Sequence, residues 1–340
     1  MRVGDNPQRN KKVNLGDYFH QVIVPVYIPN LEDYYKESFE VFKLCIQSLI
    51  KTCHSKTYIS VISNGSCTVV NDYIIKLYNQ KKIQDFTITQ SIGKLNSILK
   101  GLSGINLPLV TITDADVLFL NNWQKATYDV FEHFPKVGYV STTPSSKVLK
   151  YQTFNIIIDN LFSNKLKFTK VINPTAQIEF AKSIGNPNFY NQYHLENNLT
   201  IESASKIKSV IGGGHFVGTY RREVFNKINK NYTDFVLGGD SESIILDRSV
   251  AKNGFYRVST ENNYTYHLGN SLTNDYIDIF DKITDESKCA IEDASRIRSF
   301  KKSNNYFFKK LLFTKIISKG FIWKLFLKYK GLSNEAISKY

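Results

Sequence analysis

Asp114 and Asp116, separated only by Ala115, are the residues of this chain whose type and spacing point most directly to chemistry. They follow Leu109-Val110-Thr111-Ile112-Thr113, an apolar and β-branched run that predicts a buried strand of a parallel sheet. In open α/β sheets, ligands bind outside the C-terminal ends of the strands. Two carboxylates one residue apart on extended backbone can aim their oxygens at one hard divalent cation, which in turn holds a diphosphate. A buried carboxylate without a partner is costly, so acids ending a hydrophobic strand imply a ligand. An exposed turn or a helix cap is the competing reading.

The elements that must position these acids follow from hydrophobic periodicity. Gln21 to Val26 reads as a first strand, ending in the loop Tyr27-Ile28-Pro29-Asn30. Phe39, Phe42, Ile46, Leu49 and Ile50 recur at helical spacing between Glu37 and Thr52. Tyr58 to Ser63 is a second strand stopped by Asn64-Gly65-Ser66. A helix over Asn71 to Asn79, a short strand Phe86 to Ile88 and a helix Leu95 to Leu102 lead to the strand that carries the acids. This β-α-β-α-β-α-β alternation predicts a doubly wound, mostly parallel sheet flanked by helices. The loop after the first strand has no glycine, which excludes the dinucleotide-binding Gly-x-Gly-x-x-Gly turn, and no P-loop is present. Further on, a helix is expected from Asn121 to Phe134, a strand from Val137 to Val140, and helices near Arg222 to Asn229 and Asp240 to Asn253. Order is expected to return over Val210 to Gly218 and a strand at Phe255 to Val258, while Tyr151 to Asn198 is mixed.

The 340 residues and 42% apolar content support a substantial core. Net charge is +14, but Arg296 to Lys330 alone holds eleven Lys or Arg and no Asp or Glu. The body is close to neutral, which argues against a nucleic-acid binder and for a local anionic contact. Cys45, Cys53, Cys67 and Cys289 lack metal-ligand spacing and read as reduced thiols of a cytoplasmic protein. Met1 to Gly16 lacks the apolar core of a signal peptide, and no run is long enough to span a bilayer.

Taken in order, Ile23-Val24-Pro25-Val26-Tyr27, Val61-Ile62-Ser63-Asn64-Gly65-Ser66, Gly93-Lys94-Leu95-Asn96, Asp114-Ala115-Asp116, Phe216 to Phe225 and Gly238-Gly239-Asp240-Ser241-Glu242 with Arg248 and Gly254 resemble the motifs of family 2 glycosyltransferases of the GT-A fold. The likeness spans roughly residues 20 to 270. It implies a Rossmann-like GT-A catalytic domain over 21–270, with a nucleotide-binding half (21–120) and an acceptor half (121–270), between a lead-in (1–20) and a basic helical tail (271–340). The resemblance places Pro25, Val26 and Tyr27 against the base and ribose, and Lys94 and Asn96 near the diphosphate. The family's usual acid after the second strand is replaced by Ser63 and Asn64, so a neutral hydrogen bond must meet the base. Asp114 would face ribose or metal and Asp116 the metal, with His267 as a further ligand that suits Mn2+ better than Mg2+. A structural histidine is the competing reading for His267. Asp240 is the expected general base of an inverting transfer, with Glu242 the fallback and a helix cap the plainer role. Gly213 and Gly214 would let backbone approach the donor sugar, or simply form a turn.

The tail adds a partner. Phe308, Leu311, Leu312, Ile316, Ile317, Phe321, Leu325 and Phe326 fall largely on one helical stripe amid six lysines. Such a helix reads as an interfacial anchor on an anionic membrane, against the alternative of a helix packed on the catalytic domain. The expectation is a metal-dependent enzyme at the inner face of the cell membrane, moving a sugar from a nucleotide-diphosphate sugar to a glycan or lipid-linked acceptor. Two alternatives are a sugar-nucleotide nucleotidyltransferase, whose Gly-rich basic loop is missing, and a non-catalytic adaptor, which would not need Asp114, Asp116, Asp240 and His267 together.

Overall fold

The computed structural model describes residues 4–226, 232–287, 297 and 305–340. Strand β1 (His20–Val26) pairs in parallel with β2 (Thr57–Asn64) on one side and β4 (Leu109–Thr113) on the other; β2 pairs in parallel with β3 (Asp85–Thr89). Helices Ser38–Thr52, Thr68–Asn79 and Lys94–Leu102 make the crossovers. Side chains alternate across the strands. Val22, Val24 and Val26 pack with Phe42, Ile46 and Leu49 on one face, while Ile23 packs with Ile62, Ile98 and Ile112 on the other.

Beyond β4 the sheet changes character. Strand β10 (Val217–Arg221) enters antiparallel between β4 and β6 (Val137–Ser141), and β6 pairs in parallel with β11 (Tyr256–Thr260). Strands β9 (Lys208–Ile211), β8 (Asn197–Glu202) and β7 (Leu166–Lys170) extend the edge antiparallel. The ten-stranded order is β3-β2-β1-β4-β10-β6-β11-β9-β8-β7. The expected parallel arrangement therefore holds in the first half, and the second half is mixed. The cause is local: only residues 203–207 join β8 to β9, too few for a parallel crossover.

A separate two-stranded sheet pairs β5 (Val117–Phe119) with β12 (Thr265–His267) antiparallel. Helix Asn274–Asp281 follows and packs Tyr276 with Leu118 and Leu268, so the start of the expected tail is part of the body. Helices Tyr306–Leu312 and Gly320–Tyr329, with a π-helical turn Phe313–Ile317 between them, insert Tyr306, Phe313, Ile317, Trp323, Phe326 and Leu327 into the core around Phe154 and Leu149. Among the described residues no helix is long and apolar enough to cross a membrane. Cys45 and Cys53 are buried, which pushes both thiols up; Cys289 and the end of the helix expected to reach Asn229 lie outside the described residues.

Candidate active site

The acids sit where the chain changes sheets. It leaves β4 at Thr113, turns through Asp114, Ala115 and Asp116, and enters β5. The Asp114 N–H donates to the Phe216 carbonyl and the Leu268 N–H to the Asp116 carbonyl, both at 2.7 Å, so the turn is held from the main sheet and the small one. The β5–β12 ladder pairs His267 with Val117. This brings His267 Nε2 to 3.4 Å from Asp116 Oδ2, while Ser183 Oγ lies 2.9 Å from Nδ1 and steadies the ring. The other carboxylate oxygen, Asp116 Oδ1, is buried without a hydrogen-bond partner. Burial, opposed by His267 and reinforced by Asp114, pushes the Asp116 carboxyl up to about 6.

These features bear on a cation. An orphaned buried carboxylate oxygen beside an imidazole nitrogen is a donor set that suits Mn2+. Among the described residues no three His, Cys, Asp or Glu converge as a ready cage, because Asp114 is turned toward Lys94. Asp116 and His267 are thus the pair that fits a metal, with water and donor oxygens to complete its shell. Proton and cation compete for the same carboxylate, so divalent-cation affinity is expected to fall about tenfold per pH unit below roughly pH 6. The sign for stability is opposite. A folded-state value above the ordinary carboxylate range stabilises most at low pH, and that contribution is lost as pH rises through about 6. Titrating Mn2+ against the chain across that range checks the first statement.

Lys94 opens helix Lys94–Leu102 directly after Gly93, whose φ of +90° places it in the glycine-favoured region. A Cβ on Gly93 would stand 2.8 Å from the Phe235 carbonyl oxygen, and the Lys94 N–H donates to Val236 O at 2.9 Å. The Lys94 ammonium bridges two carboxylates, Asp114 Oδ1 at 2.6 Å and Glu242 Oε1 at 3.1 Å. Burial alone would lower its pKa, but the two acids outweigh burial and hold it above the usual lysine range. Glu242 is therefore brought to the acids from the far half of the chain.

Pro25, Val26, Tyr27, Asn64, Lys94, Asp114, Ala115 and Asp116, all expected at the site, line one cleft of about 450 Å³. Tyr34, Tyr35, Val236, Leu237, Gly269 and Asn270 line it as well, with Ile28, Ser38 and Val41. The Tyr35 ring packs edge-on against Tyr27 and Tyr34, with centroids 5.9 and 5.1 Å away. Such rings offer faces on which a planar base can stack. Asn64 Oδ1 already accepts from the Ile92 N–H at 2.7 Å, so a ligand would meet its amide group. Ser63 donates to Asn71 Oδ1 instead of facing the cleft. Tyr34 and Tyr35 escaped the sequence reading, although they follow the C-terminal end of β1, where ligand loops are expected.

Four expected residues stand elsewhere. Asn96 ties the start of its helix to the 233–236 segment, donating to Thr233 O at 2.8 Å and accepting from the Thr233 N–H at 2.8 Å. It thereby holds Thr233, three residues before the cleft-lining Val236, without lining the cleft itself. Gly213 and Gly214 present carbonyls inward to Arg257 and Tyr139, and a Cβ on Gly213 would lie 2.7 Å from Ser141 Cβ. At Gly213 the small size serves packing; at Gly214 a Cβ would meet only the Phe216 ring at ordinary contact distance, 3.7 Å. Asp240 is exposed, in the left-handed region at φ +53°, and its carbonyl accepts from the Ile244 N–H at 2.8 Å. Two left-handed glycines before it, Gly238 and Gly239, turn Glu242 to Lys94 and leave Asp240 outward.

A buried ionic cluster went unforeseen. Asp247 and Arg257 are both fully buried and ion-paired, Tyr151 donates to Asp247 at 2.9 Å, and His215 Nδ1 lies 3.3 Å from the same carboxylate. Arg257 also donates to the Gly213 carbonyl at 3.0 Å.

No protein-family model matches this chain, and no curated protein does. Solved structures similar to it include these two. One is the mannosyltransferase PcManGT from Pyrobaculum calidifontis in complex with GDP-Man and Mn2+, at 12% identity over 94% of this chain and 75% of that one, with a TM-score of 0.44. The other is TarS of S. aureus, at 12% identity over 77% of this chain and 38% of that one, with a TM-score of 0.41. At this level of similarity neither carries an argument, and the chemistry is read from this chain's own residues.

Proposed function

We propose that this chain is a glycosyltransferase that moves a sugar from a nucleotide-diphosphate donor to a hydroxyl of a glycan or lipid-linked acceptor, with inversion. The observation that carries the reading is that one tyrosine-walled cleft is lined by Lys94, which bridges Asp114 and Glu242, and by Asp116, whose orphaned carboxylate lies beside the His267 imidazole. Tyr27, Tyr34 and Tyr35 stack the base, and the Asn64 amide meets its edge. Lys94 exchanges an acid partner for the diphosphate, as a compact point charge does readily. Asp116 and His267 would hold a divalent cation, with Asp114 able to join them once Lys94 turns to phosphate. A cation bound there would neutralise charge on the departing nucleoside diphosphate. Glu242, rather than the outward Asp240, takes the proton of the attacking hydroxyl.

Asp116→Ala tests the reading directly. Donor binding in Mn2+ is expected to weaken by on the order of 100-fold, the loss of one charged contact worth about 1.5–3 kcal/mol, while binding without metal changes little. A variant that binds nucleotide-sugar in Mn2+ as well as the parent removes the metal from Asp116. Calorimetric titration with a panel of nucleotide-sugars makes the measurement and identifies the base and sugar at the same time.

A further inference from the structure

The last helices bury one apolar face and leave a second one bare. In Gly320–Tyr329, Trp323, Phe326 and Leu327 enter the core. Phe321, Ile322, Leu325 and Tyr329 form a different, exposed sector, with exposed Lys324 and Lys328 along its edge. Helix Tyr306–Leu312 repeats the plan: Tyr306 is buried, Phe307, Phe308 and Leu311 are exposed, and Lys310 flanks them. Phe307 is 82% and Phe321 74% exposed.

The two helices are fastened to the body rather than trailing from it. Lys309 pairs with Asp159, Lys330 Nζ donates to the carbonyls of Asn160 and Ser163 at 3.2 and 3.0 Å, and the Tyr329 hydroxyl donates to Phe162 O at 3.3 Å. That last contact places Phe162, itself 82% exposed, beside the helix face. A soluble surface rarely leaves this much aromatic area in water without a partner. Charge selects the partner's chemistry. Exposed Lys310, Lys315, Lys319, Lys324 and Lys328 stand in a segment that has no Asp or Glu from Arg296 to Lys330. Aromatic and aliphatic side chains edged by lysines, on helices too short to span, match an interface of acyl chains beneath anionic headgroups.

We infer that the exposed faces of Tyr306–Leu312 and Gly320–Tyr329, together with Phe162, form a rigid platform that lies on an anionic lipid bilayer. This differs from a free amphipathic anchor. Phe326 and Ile317, which share the sequence stripe, are committed to the core, whereas Phe307 and Ile322 carry the contact. Because the platform is fixed to the catalytic body, it sets one orientation of the cleft toward the membrane.

The test is co-sedimentation of the full chain with vesicles of phosphatidylcholine alone or an equal mixture with phosphatidylglycerol. Binding is expected to the mixed vesicles only, and to weaken with salt. Lys310→Gln/Lys324→Gln/Lys328→Gln should weaken it on the order of 100-fold, given about fivefold per lysine. Phe307→Ser/Phe308→Ser/Phe321→Ser should abolish it while melting temperature and nucleotide-sugar binding stay at parental values. Equal binding to neutral vesicles, or full binding by either triple variant, overturns the proposal. Phe321→Trp gives a readout that needs no destabilising change: its emission, relative to the parent's buried Trp123 and Trp323, should shift to the blue on mixed vesicles, and an unchanged spectrum also overturns it. None of these results depends on the identity of the donor, so failure here leaves the catalytic reading untouched.

Discussion

Glu242→Gln is expected to bind cation and donor like the parent and to lose sugar transfer by about 10²–10⁴-fold, the range that a positioned general base contributes. The argument is geometric. Of the two carboxylates in Asp240-Ser241-Glu242, only Glu242 reaches the acids of the first half, through Lys94 at 3.1 Å. Glutamine keeps the shape and one acceptor oxygen for Lys94 but cannot take a proton. Before donor binds, Asp114, 2.6 Å from the same ammonium, still holds Lys94 in the variant, so donor binding separates a lost base from a collapsed site. Asp240→Asn is expected to turn over within a fewfold of the parent, because that side chain faces solvent. Single-turnover transfer with saturating donor makes the comparison. Parental rates in Glu242→Gln together with loss in Asp240→Asn would restore Asp240 as the base and require the 238–242 turn to rearrange when acceptor binds.

The same turn shows what a sequence can and cannot carry. β1, β2 and β4 are legible as continuous apolar runs because they are buried on both faces, and the helices between them because burial of one face sets a 3.6-residue period; β3, a partly exposed edge strand, shows only in its short Phe86-Thr87-Ile88 run. Asp114 and Asp116 are legible for the same reason: acids that end such a run are out of place. Strand β5 is not, since three residues show no period, yet it is the β5–β12 pairing that carries His267 to Asp116. Which of Asp240 and Glu242 faces inward depends on two successive left-handed glycines, a backbone rotation without a side-chain signal. Gly213 and Gly214 look like ligand-approach glycines in the sequence. For Gly213 the reason is tertiary, since Ser141 and Tyr139 occupy the space a side chain would need, while the carbonyls of both glycines are held by Arg257 and Tyr139. The tail's stripe was visible, but its division into a buried and an exposed face required the surface of the body that receives it.

Arg257→Ala is expected to destabilise the fold by about 3–5 kcal/mol, because it strands a buried carboxylate rather than because the ion pair itself is strongly stabilising. Arg257 is enclosed between rings, its guanidinium 4.1 Å from the Tyr139 centroid and 5.5 Å from that of Tyr151. It supplies the charge that keeps Asp247 ionised inside the core: burial raises the Asp247 carboxyl, but Arg257, His215 and Tyr151 together hold it below the usual carboxylate range. Without the arginine, Asp247 retains only Tyr151 and the half-exposed His215, and the Gly213 carbonyl loses its donor. The loop from Gly212 to Phe216 then loosens, and with it the Phe216 carbonyl that holds the Asp114 N–H, so the damage should reach the cleft. The pH dependence gives a second, independent check. In the parent, a depressed Asp247 contributes stability above the unfolded carboxylate value that is lost as pH falls through the folded one. In Arg257→Ala the orphaned acid takes up a proton at higher pH, so the gap between parent and variant should narrow as the solution is acidified. Denaturant midpoints at neutral and mildly acidic pH measure both. Replacing the pair together, as Arg257→Met with Asp247→Leu, should recover much of the lost stability, since two apolar side chains of similar bulk leave no charge to satisfy. A single Arg257→Ala cost below about 1 kcal/mol, near the level of an exposed pair, would mean that water reaches Asp247 and that the cluster is not the rigid support of the site.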